Sequence, residues 1–295
     1  MIEVQRIRLL QIPSRRASGW REAAAAACLA KGWAFHVQDR EDPTPLLDPN
    51  KSSLIFGWVD HAPEGHVTDW LVQTGRPEEA AELLAQTMAL SVTEALYETS
   101  LRLASATTLV RAGAVVSNAD DLELNVPGLG KITLDLGVSS EARTLPCPLD
   151  MFRSLPPLPG AEASWPQQLF RYSDPKPAIS LDGQIELIGR RRLLFNGPHI
   201  FLPRGLWQFH ATFSVRPEDK ADLLIEWGYG DRAVQLHQAF DEAGRYEIEM
   251  QQTWDEVAPA DFRISLLTPV LDGGFEFHGG VVKCLAGPDG GATAL

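Results

Sequence analysis

The chain contains 295 residues, 44% of them hydrophobic, and has a formal net charge of −13 and a sequence pI near 5.0. That length is enough for one large or two ordinary domains whose cores need neither disulfides nor metal ions. The acidic balance repels nucleic-acid phosphates and anionic lipid, so we expect no nucleic-acid partner.

The three cysteines, Cys28, Cys147 and Cys284, are far apart and form no CxxC or Cys/His pattern. This spacing predicts reduced thiols rather than a disulfide framework. Residues 1–16 are too charged for a signal peptide, and no apolar run approaches the roughly 20 residues that span a bilayer. We therefore expect a protein that is cytoplasmic, or released without a classical signal peptide, and that is not inserted in a membrane.

The N-terminal part predicts a strand, a helix and a second strand in succession. Alternating apolar residues between Ile2 and Ile12 are typical of a strand. The alanine-rich segment that follows predicts a helix, with Ser18 as its N-cap and Gly32 as the left-handed residue at its end. We interpret residues 1–143 as a mixed α+β domain of unknown function.

The longest helix is predicted to begin at Pro77 and to continue to about Leu103, because apolar residues recur every four positions along it. After this helix, the sequences DLELNV and KITLDLGV alternate in polarity around a PGLG turn. The two alternating segments predict a β-hairpin.

The composition changes at residue 144. Prolines are dense over 144–177, which predicts a connector, and the alternating segments beyond it are separated by Gly, Pro and Asp turns. We predict an antiparallel β-sandwich, a jelly roll, over 178–287 and a flexible tail over 288–295, so that the fold class is α+β. The predicted sandwich core contains Trp207, Phe209, Phe213, Leu223, Ile225, Tyr246, Ile248, Phe262, Ile264, Phe275 and Phe277.

The C-terminal segments also carry an ordered set of motifs. The pattern LLF-x-GP-x-I-x-LP-x-G-x-W is followed by an alternating strand, then by IEWG, GRYEIEM and FEFHGGVV. In this order they resemble the jelly-roll modules appended to bacterial polysaccharide-related proteins, of the carbohydrate-binding-module type. The resemblance covers about Ile179 to Leu285, and it implies a β-sandwich with a polysaccharide or glycan as its partner.

Residues at two strand ends are candidates for sugar binding, because aromatic rings stack on pyranose faces and polar groups bind the hydroxyls. If the alternation of its strand continued, Gln252 and Trp254 would both point inward. A buried glutamine is costly, so we expect the strand to end or twist there and to release the Trp254 ring towards a loop. Trp227 continues an apolar face, and a core position is its stronger interpretation. The ligand-binding candidates are Trp254, Asp255, Glu256, Trp227, Tyr229 and Arg232.

One loop, DHAPEGH, collects residue types that bind metals. Asp60, His61 and His66 could converge there on a metal ion. Their spacing matches no helical metal motif such as HExxH, which favours an ordinary surface loop. No cofactor motif is recognisable in the sequence, and we predict no cofactor.

No nucleophile–base arrangement stands out in the sequence, which favours a non-catalytic role. The predicted function is a glycan-binding or surface-recognition protein, and the sequence leaves open protein partners in a larger assembly. Two alternatives remain. One is an enzyme of polysaccharide metabolism with an accessory binding module, and the other is a scaffolding protein whose jelly roll contacts other proteins.

Overall fold

The chain forms two compact units, Met1–Leu145 and Pro146–Leu295. The first unit is an α/β sheet and the second is a β-sandwich, so the predicted α+β class is confirmed. No helix in the described part of the chain is long and apolar enough to span a membrane. The computed structural model describes residues 4–38, 47–58, 69–134, 146–173 and 184–288.

In the first unit, the described residues form an open parallel sheet of five strands together with three helices. The strands are β1 (Arg6–Gln11), β2 (Ala34–Val37), β3 (Ser53–Trp58), β4 (Asp69–Thr74) and β5 (Val115–Asn118), and the helices are α1 (Ala17–Ala30), α2 (Pro77–Met88) and α3 (Val92–Arg111). The strand order is β2-β3-β1-β4-β5, and all neighbouring pairs are parallel. The predicted hairpin is confirmed as β6 (Glu123–Val126) and β7 (Gly130–Thr133).

Helix α1 buries one side in the core of this unit. Trp20, Ala24 and Cys28 recur at a spacing of four residues, and all three side chains are fully buried. Gly32 has φ 71° just beyond the helix, which is the left-handed conformation predicted for it. The prediction of Ser18 as N-cap is wrong, because the helix begins at Ala17 with Arg16 in the N-cap position, and no side chain caps it.

The prediction of one long helix from Pro77 to Leu103 is also wrong. Ala89 adopts φ 52° and ends α2, and a new helix begins after Ser91. The Ser91 hydroxyl accepts a hydrogen bond from the Glu94 backbone N–H at 3.3 Å, and the Glu94 carboxylate accepts one from the Ser91 backbone N–H at 2.9 Å. Apolar residues keep their spacing across the break, so periodicity hides it. The signal that sequence reasoning missed is the capping box, Ser91-x-x-Glu94.

We expect Ser91→Ala to lower the free energy of unfolding of the full chain by about 1 kcal/mol, since it leaves N–H groups of the first turn of α3 unpaired. Thr93→Ala is the matched control, because Thr93 is exposed in the same helical turn. Its effect should stay within about 0.5 kcal/mol. Urea unfolding measures both changes, and equal effects of the two variants would contradict the role of the capping box.

The second unit is an antiparallel sandwich of two sheets, as predicted. Its strands are β8 (Glu162–Trp165), β9 (Arg171–Tyr172), β10 (Gln184–Glu186), β11 (Arg192–Leu202), β12 (Gly205–Pro217), β13 (Ala221–Tyr229), β14 (Arg232–Phe240), β15 (Gly244–Trp254), β16 (Ala258–Leu266) and β17 (Gly273–Ala286). Sheet I has the order β10-β17-β12-β15, and β8 also pairs with β17. Sheet II has the order β14-β13-β16-β11-β9.

The proline-rich stretch 144–177 differs from the predicted connector wherever it is described. Strand β8 adds to sheet I through β17, and β9 adds to sheet II through β11. Trp165 is fully buried, and its indole N–H donates a hydrogen bond to the Pro148 carbonyl at 3.0 Å. Prolines flank β8 without interrupting it, and β8 lies at a sheet edge, where they are tolerated.

The predicted sandwich core is buried except at two positions. Tyr246 and Ile248 are half-buried, whereas the other predicted core side chains are fully enclosed. Both lie on β15, an edge strand of sheet I with a paired strand on one side only. Side chains on an edge strand are covered by a neighbouring strand on one side only, which explains the partial exposure of Tyr246 and Ile248.

All three cysteines are buried thiols that form no disulfide. Burial raises the pKa of the Cys28 thiol to about 11, so the thiolate is scarce at pH 8. We expect iodoacetamide to leave Cys28 unlabelled in the native protein at pH 8 and to label it in urea, as read by peptide mass spectrometry. Because the folded state holds the proton more tightly, this group stabilises the fold below about pH 9 and loses that contribution towards pH 11. Rapid native labelling would contradict the burial.

Candidate functional site

The structure brings the predicted aromatic candidates together at one end of the sandwich. The ring centroids of Trp227 and Trp254 are 5.0 Å apart, and those of Tyr229 and Trp254 are 5.4 Å apart. Arg232 donates to the Asp255 carboxylate at 2.7 Å and to the Tyr229 hydroxyl at 3.2 Å. The sequence placed these residues at two separate strand ends, and the structure brings the two ends together.

The predicted exposure of Trp254 is wrong. Its side chain is 1% exposed, and Trp227 and Tyr229 are buried as well, so none of these rings presents a face on which a sugar could stack. Side chains of β15 keep alternating between the inner and the outer face of the sheet as far as Trp254. Gln252 is only half-buried, because β15 is an edge strand, and its Nε2 donates to the Arg232 carbonyl at 3.1 Å. Because this bond gives the glutamine amide a partner, an inward Gln252 is not costly, and the strand has no reason to end before Trp254.

Charged groups lie at the solvent side of this cluster. The hydrogen bond to the Tyr229 hydroxyl, with the Asp255 and Glu256 carboxylates nearby, raises the pKa of the exposed Arg232 guanidinium. Arg232 and Asp255 neutralise each other through their ion pair. The ligand-binding role of Arg232, Asp255 and Glu256 stays a prediction.

Trp254→Ala should lower the free energy of unfolding by about 3–5 kcal/mol, because it opens a cavity inside the aromatic core. Thr253→Ala is the matched control, since Thr253 is the exposed neighbour on the same strand. It should cost less than about 1 kcal/mol. Denaturant unfolding followed by fluorescence measures both, and a cost for Trp254→Ala as small as that of the control would contradict its core position.

Asp60, His61 and His66 lie outside the described residues, so the metal hypothesis for this loop stays a prediction. Among the residues that the structure describes, no group of three or more His, Cys, Asp and Glu side chains is arranged to hold a metal ion.

A row of polar side chains crosses the outer face of sheet II. Gln235 on β14 lies opposite Glu226 on β13, Glu226 lies opposite Arg263 on β16, and Arg263 lies opposite Asn196 on β11. Strand neighbours are about 4.8 Å apart, so the row spans about 14 Å across four strands. We call Gln235, Glu226, Arg263 and Asn196 the polar row.

Contacts on the same face hold three members of the polar row, Gln235, Glu226 and Arg263, in place. The Gln235 Nε2 donates to Glu226 Oε1 at 2.8 Å. The Arg263 Nε lies 3.4 Å from Glu226 Oε2 and 3.5 Å from Asp261 Oδ2, and its Nη2 donates to the Gly230 carbonyl at 3.3 Å. These contacts orient a carboxylate and a guanidinium before any ligand arrives.

The outer face of sheet I is also polar, but its charges are less fixed. His210 lies 3.5 Å from the Glu247 carboxylate, whose side chain is 64% exposed. In contrast, the side chains of Glu226 and Asp261 are only 12% and 15% exposed. Groups that are already ordered lose less conformational entropy when they bind, so the polar row is the better candidate for a binding site.

Sequence reasoning missed the polar row because its members come from four separate strands. Each one occupies an outward position in an alternating segment, which by itself is typical of a solvated strand face. Only the pairing register shows that they form one line. Within single segments, the one signal for this site was a charged residue at an outward position, Glu226 in IEWG and Arg263 in DFRISL.

Comparisons with known proteins give only distant structural similarities. No protein-family model and no curated protein sequence matches the chain. Similar solved structures include a family 61 carbohydrate-binding module in complex with β-1,4-galactotriose, with 9% identity, a TM-score of 0.28 and coverage of 34% of this chain and 68% of that one.

A second similar structure is the C-terminal family 22 carbohydrate-binding module of Clostridium thermocellum Xyn10B, with 10% identity, a TM-score of 0.25 and coverage of 43% and 82%. A third is the xylan-binding domain from Paenibacillus barcinonensis Xyn10C, with 6% identity, a TM-score of 0.24 and coverage of 43% and 96%. These structures are of the class that the sequence of the C-terminal part resembles. At these TM-scores the likeness says nothing about a ligand of this chain.

Proposed function

We propose that the second unit is a non-catalytic glycan-binding domain and that the polar row is its binding surface. The observation that supports this proposal is the row itself: an amide, a carboxylate, a guanidinium and a second amide in register on one sheet face. Sugar hydroxyls both donate and accept hydrogen bonds. A line of alternating acceptors and donors about 14 Å long therefore suits a short run of hydroxyl groups better than it suits an apolar ligand.

Binding of this kind relies on hydrogen bonds rather than on ring stacking. The described part of the second unit has no large aromatic side chain among its exposed hydrophobic residues. Leu224, half-buried in the next row beside His237 and Ser265, supplies an apolar contact for the C–H face of a sugar ring. Hydrogen bonds to charged groups contribute about 1.5–3 kcal/mol each, so Glu226 and Arg263 should contribute most of the affinity.

A glycan array probed with the full chain, followed by calorimetry with the strongest ligand, tests the proposal. Glu226→Gln should weaken binding about 10- to 100-fold, because it replaces a charged acceptor by a neutral amide. Gln235→Ala should weaken it about fivefold. Gln251→Ala is the matched control, since Gln251 is an exposed glutamine on the outer face of sheet I, and it should leave the affinity unchanged.

The outcomes separate the three predicted functions. Loss of binding in Gln251→Ala, with Gln235→Ala unaffected, would move the site to sheet I. An array without any retained glycan would contradict glycan binding and favour the scaffolding alternative. Chromatography of the ligand after long incubation tests the enzymatic alternative, and a shortened glycan would contradict the non-catalytic assignment.

A further inference from the structure

Strand β14 forms a long open edge of the sandwich. It is nine residues long, it ends the strand order of sheet II, and no strand of the described chain pairs with its outer side. Its register with β13 is continuous, without a bulge. All its residues are exposed except Ala233, which is half-buried, and Phe240, which is buried. Backbone N–H and C=O groups along such an edge are available for pairing with another strand.

The other outer strands of the two sheets carry features that hinder such pairing. Strands β9 and β10 are only two and three residues long, and β8 has four residues with prolines on both sides. Strand β15 is long, but it carries three charged residues, Arg245, Glu247 and Glu249. In contrast, β14 has no charged residue, proline or glycine over 233–239, although the chain has a net charge of −13. Short strands, charges and prolines protect sheet edges, so β14 is the unprotected one.

The β13–β14 hairpin determines which backbone groups of β14 face outward. Its loop has two residues between the paired residues Tyr229 and Arg232, so these two exchange both backbone hydrogen bonds. Every second residue from Arg232 onward therefore bonds to β13. The residues between them direct their N–H and C=O groups to the open side, and they are Ala233, Gln235, His237 and Ala239.

We propose that β14 is a dimerisation edge, on which a second copy of this chain binds through its own β14 in antiparallel orientation. Leu236 is the midpoint of the strand, so a two-fold axis at Leu236 pairs all nine residues. In this register Leu236 lies opposite its own counterpart, and Gln235 lies opposite the second His237. The outward backbone groups of both strands then find partners, and sheet II continues from one copy into the other.

Charge and exposure favour a second copy as the occupant. Two acidic chains repel each other, and β14 is a long edge that brings no carboxylate of 233–239 against another. Pairing through β15 would bring Glu247 and Glu249 of both copies together. Val234 and Leu236 lie on the inner side of β14 and are 39% and 37% exposed, and the second strand would cover them. One strand from each copy makes a small interface, so we expect a reversible dimer.

Sedimentation velocity of the full chain from micromolar to millimolar concentration tests the dimer. Leu236→Lys should raise the dissociation constant at least about tenfold, because it places two lysines opposite each other at the two-fold axis. Leu271→Lys is the matched control, since Leu271 is an 87% exposed leucine in the turn before β17. It changes the net charge equally and should leave the dissociation constant unchanged. Thermal unfolding verifies that both variants fold.

Cysteine cross-linking tests the register. The Cα atoms of an antiparallel pair without mutual hydrogen bonds are about 4.5 Å apart, so the two cysteines of Leu236→Cys can form a disulfide across the axis. His237→Cys is the control, because the proposed register separates the two copies of this residue by about 8 Å. The native cysteines are buried. Under mild oxidation, Leu236→Cys should form a covalent dimer at least tenfold faster than His237→Cys, as read by electrophoresis without reductant.

Each result bears on a separate part of the proposal. A wild-type chain that stays monomeric at millimolar concentration would overturn the dimer. Equal dissociation constants of the two lysine variants would overturn β14 as the edge, and equal cross-linking rates of the two cysteine variants would overturn the register. None of these measurements uses a glycan, so their outcome is independent of the proposed function.

Discussion

The second unit depends on a continuous layer of aromatic side chains between its two sheets. Phe209 of sheet I stacks on Trp227 of sheet II with 5.0 Å between ring centroids and packs against Phe262 at 4.7 Å. Phe195 of sheet II stacks on Phe277 of sheet I at 4.5 Å. Such pairs contribute about 0.5–1.5 kcal/mol beyond the burial of their area, and each pair requires its two strands to keep a fixed height relative to each other.

The same layer determines what the outer face presents. Side chains alternate along a strand, so the inward position of Trp227 and Phe262 requires that Glu226 and Arg263 point outward beside each other. A shift of either strand by one residue would turn the charged pair into the core and the rings into solvent, at a cost of several buried aromatic side chains. The arrangement of the polar row is therefore fixed by the packing on the opposite side of the sheet.

Local alternation was enough to predict the strands and most of the sandwich core, because apolar and polar residues alternate within each strand according to whether they face the core or the solvent. Features that depend on a second segment were not predictable in this way. The burial of Trp254 requires the Gln252 amide to reach a carbonyl on β14, and the burial of Trp165 requires β17 as a pairing partner. The break before Ser91 was readable locally, but its capping box was overlooked because the apolar spacing of four residues continues across it.

The two units place their polar groups differently because their sheets are covered differently. A parallel sheet has connecting helices on its faces, so its buried polar side chains gather near the strand ends, where Gln11 and Gln73 pair with each other. An antiparallel sandwich buries only the inner face of each sheet, and its outer face can carry polar side chains along the full width of the strands. The extended polar row of the second unit follows from this difference, because only an uncovered outer face lets side chains of four strands form one line.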